Sequence, residues 1–563
     1  MFRISLVAGT VVALCACLPL FAQESEPAPS LGPRVDAVFS RWNSTNSPGC
    51  AVSVVKDGTI VYAQGYGMAN LDHDVPIRTD TVFHVASVSK EFAAAAIALL
   101  LLEGKLSLDD PIQKHLPWVA DFGHEITIRN LVHHNSGLRD QWSLLGMSGW
   151  RYSKDQITND DVIYLIERQR DLNFVPGERY LYSNTGYTLM GLIVKKVSGQ
   201  SLREFTTERI FKPLGMTRTH FRDDFSEIVK DQAFGYRWDN DTKAFHTSVT
   251  NFDTVGATSL LTTVEDMALW DRNFIDSVVG GRAFLDLIHQ RGILNDGEPQ
   301  DYAFGLLHGT YRGLPTVGHG GADAGYRAHF VRFPNQDYSF VTLCNVAQTN
   351  PGRLARDVAD IYLEEYLKPD TEETTAEMTP VALTDEAMAR IEGAYFREDL
   401  AIVLRVQRDK GGLRLSLGGR PLEMIHTGDG RFGIPEIGRA MRFEPATGAV
   451  QRVRFWNAGE EEDDDDSAMK LTPSEMSEAA LQELVGNYSS PELPVTYHIE
   501  LKEGQLTIQW LKRAPQPLTP VTADWLAGDD VGSLRFRRDA SGQVAGFTLD
   551  SGRVRNFRFE RVK

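Results

Sequence analysis

Apolar and polar positions follow two different rhythms along this chain. Up to residue 368, short alternating runs are mixed with longer apolar segments at helical spacing. Val35 to Trp42 is an amphipathic helical pattern, and Cys50 to Val55 with Thr59 to Tyr66, split by Lys56-Asp57-Gly58, predicts a β-hairpin turned at Asp-Gly. Glu91 to Leu102 is Ala- and Leu-rich, too short to span a bilayer and suited to a buried core helix. Ile126 to Leu138 reads as a short helix ended at Gly137, and Thr188 to Lys195 as an apolar helix entered through Tyr182-Ser183-Asn184. Thr262 or Thr263 with Glu265 or Asp266 forms the N-cap signature of another helix. Ala328 to Phe333 and Tyr338 to Leu343 then predict two strands joined through Pro334-Asn335-Gln336-Asp337.

Past an acidic, Thr-rich stretch from Asp370 to Thr379, the rhythm changes to short alternating strands with Gly turns, and it repeats. Gly393-Ala394-Tyr395 recurs as Gly486-Asn487-Tyr488, Gly411-Gly412-Leu413 as Gly504-Gln505-Leu506, and Phe443 with Gly448 as Phe536 with Gly542. A spacing of about 93 residues predicts two tandem antiparallel β-barrels, over 380–470 and 474–563, rather than a solenoid. Glu460 to Asp466 lacks the alternate spacing and Gly of a calcium loop and reads as a solvated linker.

Composition narrows the partners. At 563 residues the chain needs more than one core, and a formal charge of −18 leaves no basic excess for nucleic acid. Met1-Phe2-Arg3, the apolar run Ile4 to Leu20 and the small residues before Gln23 predict a signal peptide over 1–22, hence a periplasmic or secreted protein. Cys17 offers a lipoprotein alternative. No later run is long enough for an integral membrane span. Only Cys50 and Cys344 follow the signal, each at the end of a strand-like run; they pair if those strands are neighbours, and two buried thiols are the expectation. His133-His134 lacks a third ligand at usable spacing, so no metal and no cofactor is expected, and packing accounts for the pair.

The candidate chemistry lies in three short motifs. Ser87-Val88-Ser89-Lys90 mounts a hydroxyl at the start of the apolar helix with an amine on the same face. Tyr182-Ser183-Asn184 adds a phenol able to transfer a proton, should a nearby ammonium lower its pKa, and an amide for orientation. His319-Gly320-Gly321-Ala322 is a glycine-lined strand that another backbone can approach. In this order, with Leu131 to Leu138 and Gly256 to Asp266 as supporting matches, the motifs resemble those of the serine β-lactamase-like and penicillin-binding-protein family. The class C-like branch, which includes D-aminopeptidases, is the most similar. The resemblance spans roughly residues 35 to 365.

It implies an α+β fold for residues 35–368: a five-stranded antiparallel sheet flanked by helices, with a helical lobe and the site between them, followed in D-aminopeptidases by two β-barrels. It also implies Ser87 as acylated nucleophile and Lys90 and Tyr182 as proton-transfer partners. Asn184 would hold a substrate amide, and Ser87 and Ala322 N–H would form an oxyanion hole beside Gly320 and Gly321. His319 replaces the lysine of most β-lactamases, and near a reference pKa of about 6.5 it is a weak anchor for a carboxylate. The expected activity is an acyl-enzyme hydrolase of small peptide amides or esters. A β-lactamase or carboxylesterase is the alternative on the same residues, and a non-catalytic peptidoglycan-fragment receptor is the alternative from another class. His319-Gly320-Gly321 also resembles the oxyanion motif of α/β-hydrolases, but no Gly-x-Ser-x-Gly elbow accompanies it. A loop of the last barrel, Leu511 to Gln516, is expected to narrow the cleft.

Overall fold

The computed structural model describes residues 31–562 except 153, 369–380, 399, 401, 410–411, 418–419, 429, 435–438, 458–465 and 473. The expected signal peptide with Cys17, the stretch Asp370 to Thr379 and all of the acidic run but Asp466 lie outside the described residues.

The expected hairpin forms as strands β1 (Cys50–Lys56) and β2 (Thr59–Tyr66). Four later strands complete the sheet: β3 (Leu307–Tyr311), β4 (Leu314–Asp323), β5 (Tyr326–Phe333) and β6 (Tyr338–Cys344). The order is β3-β4-β5-β6-β1-β2, antiparallel at each pairing, so the N-terminal hairpin docks on the last strand of the domain. The pattern of apolar residues did not announce β3, an edge strand with largely exposed side chains and no buried alternation.

Alternation along the strands sorts side chains to two layers. Val52, Val54 and Phe340 face helices α1 (Gly32–Phe39) and α7 (Pro351–Tyr362), while Ala51, Val341 and Leu343 join the opposite core. That second core surrounds α2 (Ser89–Leu102), in which every residue from Ser89 to Leu100 is buried. Helices α3 (Ile128–Val132), α4 (Gln141–Met147), α5 (Asn184–Ser198) and α6 (Val264–Asp276) belong to the same side, α6 capped by the Thr263 side chain accepting from Asp266 N–H. α3 stops at Val132, short of Gly137. His134 takes a left-handed φ of 55°, and the chain turns so that His134 Nδ1 accepts from Ser183 N–H at 3.1 Å.

Register overturns the expectation of free thiols. β1 and β6 are direct neighbours with Cys50 opposite Cys344, and the two sulfurs are bonded at 2.10 Å. The bridge closes a separation of 294 residues, so it limits the unfolded chain strongly. Cys344→Ser should lower stability by about 2–4 kcal/mol in denaturant titrations. Under non-reducing denaturing conditions, alkylation of the native protein should modify neither cysteine.

The C-terminal third holds an eight-stranded closed barrel, from Gly393–Arg397 to Ser467–Lys470, and a nine-stranded antiparallel sheet that curls into a nearly closed one. The repeat has a physical meaning. Thr384 and Ser477 each cap a short helix, after which Tyr395 and Tyr488 donate their hydroxyls to the carbonyls four residues back, Ile391 and Leu484. Each tyrosine then packs on its repeat's phenylalanine, Phe443 or Phe536, at 5.5 and 5.9 Å. Leu511 to Gln516 does not reach the sheet's cleft. Lys512 is drawn instead to Asp155 and Arg513 to the Trp150 carbonyl, 2.8 Å away. The hairpin turn at Gly552-Arg553 takes the cleft position.

Candidate active site

Ser87 lies in a single 3-10 turn, Ala86–Val88, immediately before α2. Ala86 holds a left-handed φ of 49°, a conformation costly for a residue with a Cβ, and the turn thereby lifts Ser87 toward β4. Gly321 explains how closely they meet. A Cβ on Gly321 would lie 2.2 Å from Val85 O and 3.1 Å from Ser87 N, so only glycine fits there. The backbone that these glycines admit is thus the chain's own. Beyond Gly318, β3 no longer pairs with β4, which leaves the edge from His319 to Asp323 facing the Ser87 turn. Backbone N–H groups at the start of α2 and along this edge are the kind of donors that stabilise a developing oxyanion.

Lys90, one helical turn on, is completely buried with its Nζ 3.1 Å from Ser87 Oγ. It donates to Asn184 Oδ1 at 2.9 Å and to the Ala257 carbonyl at 2.6 Å. Both partners only accept, so they use two amine protons and leave the third tetrahedral position toward Ser87. Burial pushes the Lys90 pKa down to about 7, partly countered by the charges of Asp323 and Asp140 and aided by Arg553. Close to neutrality the third position is therefore often a lone pair, which is the state a base needs.

Tyr182 lines the same cavity as Ser87, and its ring lies 4.8 Å from Lys90 Nζ. Burial raises its pKa well above the ordinary phenol value, outweighing the lowering by Ser87. The sequence made acidification conditional on a nearby ammonium; desolvation decides the matter, and the resting phenol keeps its proton.

Asn184 is the first residue of α5 and is held by Asp140, whose Oδ2 accepts from both its backbone N–H and its Nδ2, each at 2.8 Å. With Oδ1 on Lys90, one side-chain N–H remains for a substrate. Asp140 itself caps α4 through Trp142 and Ser143 N–H. Asp140 is not among the candidates read from the sequence, since its contact with Asn184 is made across 44 positions. Asp323, also missed, closes the far end of the β4 edge. Burial would raise its pKa, but hydrogen bonds with His84, Thr258 and Tyr152 leave it below the usual carboxylate range.

His319 has both ring nitrogens engaged. Nδ1 donates to the Gly320 carbonyl at 2.6 Å, so Nε2 accepts from the Tyr302 hydroxyl at 2.9 Å. Burial, with the Lys90 charge next, drives its pKa to about 3, and the imidazole is neutral across the working range. The adjacent histidines are packing groups: His133 Nδ1 faces the Tyr302 carbonyl, and the His134 ring lies 4.2 Å from that of Tyr182.

Ser87, Tyr182, Asn184 and the segment His319 to Ala322 line one cavity of about 760 Å³, with Lys90 beneath its floor. A nucleophilic hydroxyl, a buried amine of low pKa, a neutral phenol and an unpaired strand edge meet there. This is the arrangement of a serine-type hydrolase family, and the chain matches the Beta-lactamase family over residues 35–364. It belongs to that family.

Among curated relatives, the D-aminopeptidase of Cereibacter sphaeroides is 27% identical over 542 residues, covering 92% of this chain and 97% of that protein. The D-aminopeptidase of Brucella anthropi is 26% identical over 533 residues, covering 92% and 96%. Among solved structures, the octameric penicillin-binding protein homologue from Pyrococcus abyssi is 25% identical with a TM-score of 0.57, covering 78% of this chain and all of its own. The penicillin binding protein from Bacillus halodurans, at 24% identity and TM-score 0.51, shares the fold over 59% of this chain and 99% of its own.

Proposed function

We propose that the protein is an exported serine hydrolase that forms an acyl-enzyme on Ser87 and cleaves amide or ester bonds of small peptides, with D-aminopeptidase or DD-peptidase-like specificity. The observation that carries this reading is the 3.1 Å contact between Ser87 Oγ and a buried amine whose other two protons are taken by Asn184 and Ala257. Lys90 takes the Ser87 proton as Oγ attacks the carbonyl carbon, and Ser87 and Ala322 N–H receive the negative charge on the carbonyl oxygen. As the tetrahedral intermediate collapses, Tyr182 hands its proton to the leaving group and is recharged from Lys90, which leaves an ester on Ser87. Water, deprotonated by the same pair, hydrolyses the ester.

Relatedness to D-aminopeptidases over nine-tenths of the chain, barrels included, supports the peptide substrate class. The Cys50–Cys344 bridge supports export to an oxidising compartment. D-amino-acid amides, p-nitrophenyl esters and nitrocefin, assayed side by side with native protein and Ser87→Ala, test the proposal. Turnover of the amides or esters should fall by about 10³-fold or more in Ser87→Ala. Equal turnover by the two proteins, or preference for nitrocefin over every amide, would contradict it.

A further inference from the structure

Three arginines that the motifs do not supply line the cavity, Arg327, Arg356 and Arg553, and Arg553 is the one that lies over Tyr182. Arg553 lies at the tip of the last hairpin of the C-terminal sheet, 466 positions from Ser87 in sequence, yet it lines the same cavity. Its guanidinium carbon sits 5.0 Å from the centre of the Tyr182 ring, which lines the cavity together with Ser87.

The turn that carries it is fixed to the catalytic domain. Arg553 N–H donates to Ser143 Oγ at 3.2 Å, and its carbonyl accepts from Asn173 Nδ2 at 3.0 Å and from Asp140 N–H at 3.4 Å. Gly552 has φ 56°, and a Cβ there would come within 3.0 Å of Ser143 Oγ, so the close approach uses its missing side chain.

The backbone is anchored but the charge is not spent. Among the described residues its ion pair is with Asp140 at 3.7 Å, beyond hydrogen-bond distance, and the Asp140 oxygens already accept from Asn184, Trp142 and Ser143. Asp323, the acid on the cavity wall, likewise has its oxygens committed to His84, Thr258 and Tyr152. The Arg553 side chain remains 43% exposed in the cleft, with N–H donors in the planar fork that matches a carboxylate. His319 offers no competing charge at the strand, since both its nitrogens are used within the protein.

We infer that Arg553 is a specificity residue donated by the C-terminal domain, which binds a carboxylate on the substrate beside Tyr182. The inference rests on the serine-hydrolase reading above and adds a substrate class to it: small amides or esters that carry a negative charge near the scissile bond. A carboxylate there makes a paired hydrogen-bonded contact with the guanidinium and leaves the remaining Asn184 N–H for the substrate amide.

The test compares N-acetyl-D-alanyl-D-alanine, its carboxamide, and the carboxamide of N-acetyl-D-alanyl-D-aspartate, which separates a terminal from a side-chain carboxylate. KM is measured where turnover occurs; where it does not, dissociation constants are measured by calorimetry with Ser87→Ala protein. The native chain should favour one of the two acids over the plain carboxamide. Arg553→Gln should reduce that preference at least tenfold whatever it does to all three in common, and Arg553→Lys should retain part of it. No preference in the native protein, or an equal change for charged and uncharged ligands in Arg553→Gln, overturns the assignment and leaves Arg553 as a docking residue. Absence of Ser87-dependent labelling by an acylating probe would instead count against the hydrolase reading, with the ligand preference still readable.

Discussion

Lys90→Met is expected to slow acylation by roughly 10²–10⁴-fold, the usual range for loss of a positioned base. In the native protein the rate should rise with pH through about 7 and level off above, because the reactive form is the free amine. Stability should also rise with pH, over a window that lies above the kinetic one. The folded Lys90 has a pKa near 7 against 10.5 for the free side chain, so the native state loses stability fully below 7 and regains it as pH climbs toward 10.5. The melting-temperature advantage of Lys90→Met over the native chain should therefore be greatest below pH 7 and shrink steadily above it. Thermal melts at pH 6, 8 and 10, run beside single-turnover acylation, check both halves. A pH-independent difference would mean that Lys90 is not a depressed-pKa amine.

Glu492→Ala should cost about 3–5 kcal/mol, because it strands a buried cation. Arg139 is fully inaccessible and Glu492 nearly so; they meet at 2.8 Å, and Glu492 also accepts from Arg170 N–H. This pair joins the last barrel to the catalytic domain next to Asp140. The Arg139 carbonyl accepts from Thr185, and Asp140 holds Asn184, so the same two residues touch both the barrel and the site. Loss of the pair should lower the unfolding midpoint in denaturant and also slow acylation, while Arg139→Met combined with Glu492→Met should recover most of the stability. An unchanged midpoint in Glu492→Ala would show that the barrel is not braced there.

These couplings mark the limit of what the residue order conveys. Ser87 and Lys90 are legible because their geometry is local, one turn of a helix that packing requires to be apolar. The strand-hairpin pattern of β1 and β2 was equally plain, and so was the two-barrel repeat, since each tyrosine and its cap lie within a dozen positions. Tyr182, Asn184 and His319 become candidates only as an ordered set, because each alone suits a surface or a capping role. The disulfide was misjudged because pairing depends on β1 docking against β6, a choice between distant strands that alternation does not encode. Asp140 and Asp323 are not among the candidates read from the sequence, because their roles come from contacts made across the fold. Arg553 reads as a residue in a hairpin turn, and nothing near it in sequence points to Tyr182. The condition set on Tyr182 could not be decided for a related reason, since the ammonium is legible and the burial that raises the phenol's pKa is not.

The central claim is that Ser87 is the residue acylated. Intact mass spectrometry after treatment with a fluorophosphonate, followed by peptide mapping, reads it directly. A single adduct on the peptide containing Ser87, absent from Ser87→Ala and much slowed in Lys90→Met, is the predicted result. An adduct on any other residue, or equal labelling of the native chain and Ser87→Ala, would contradict it.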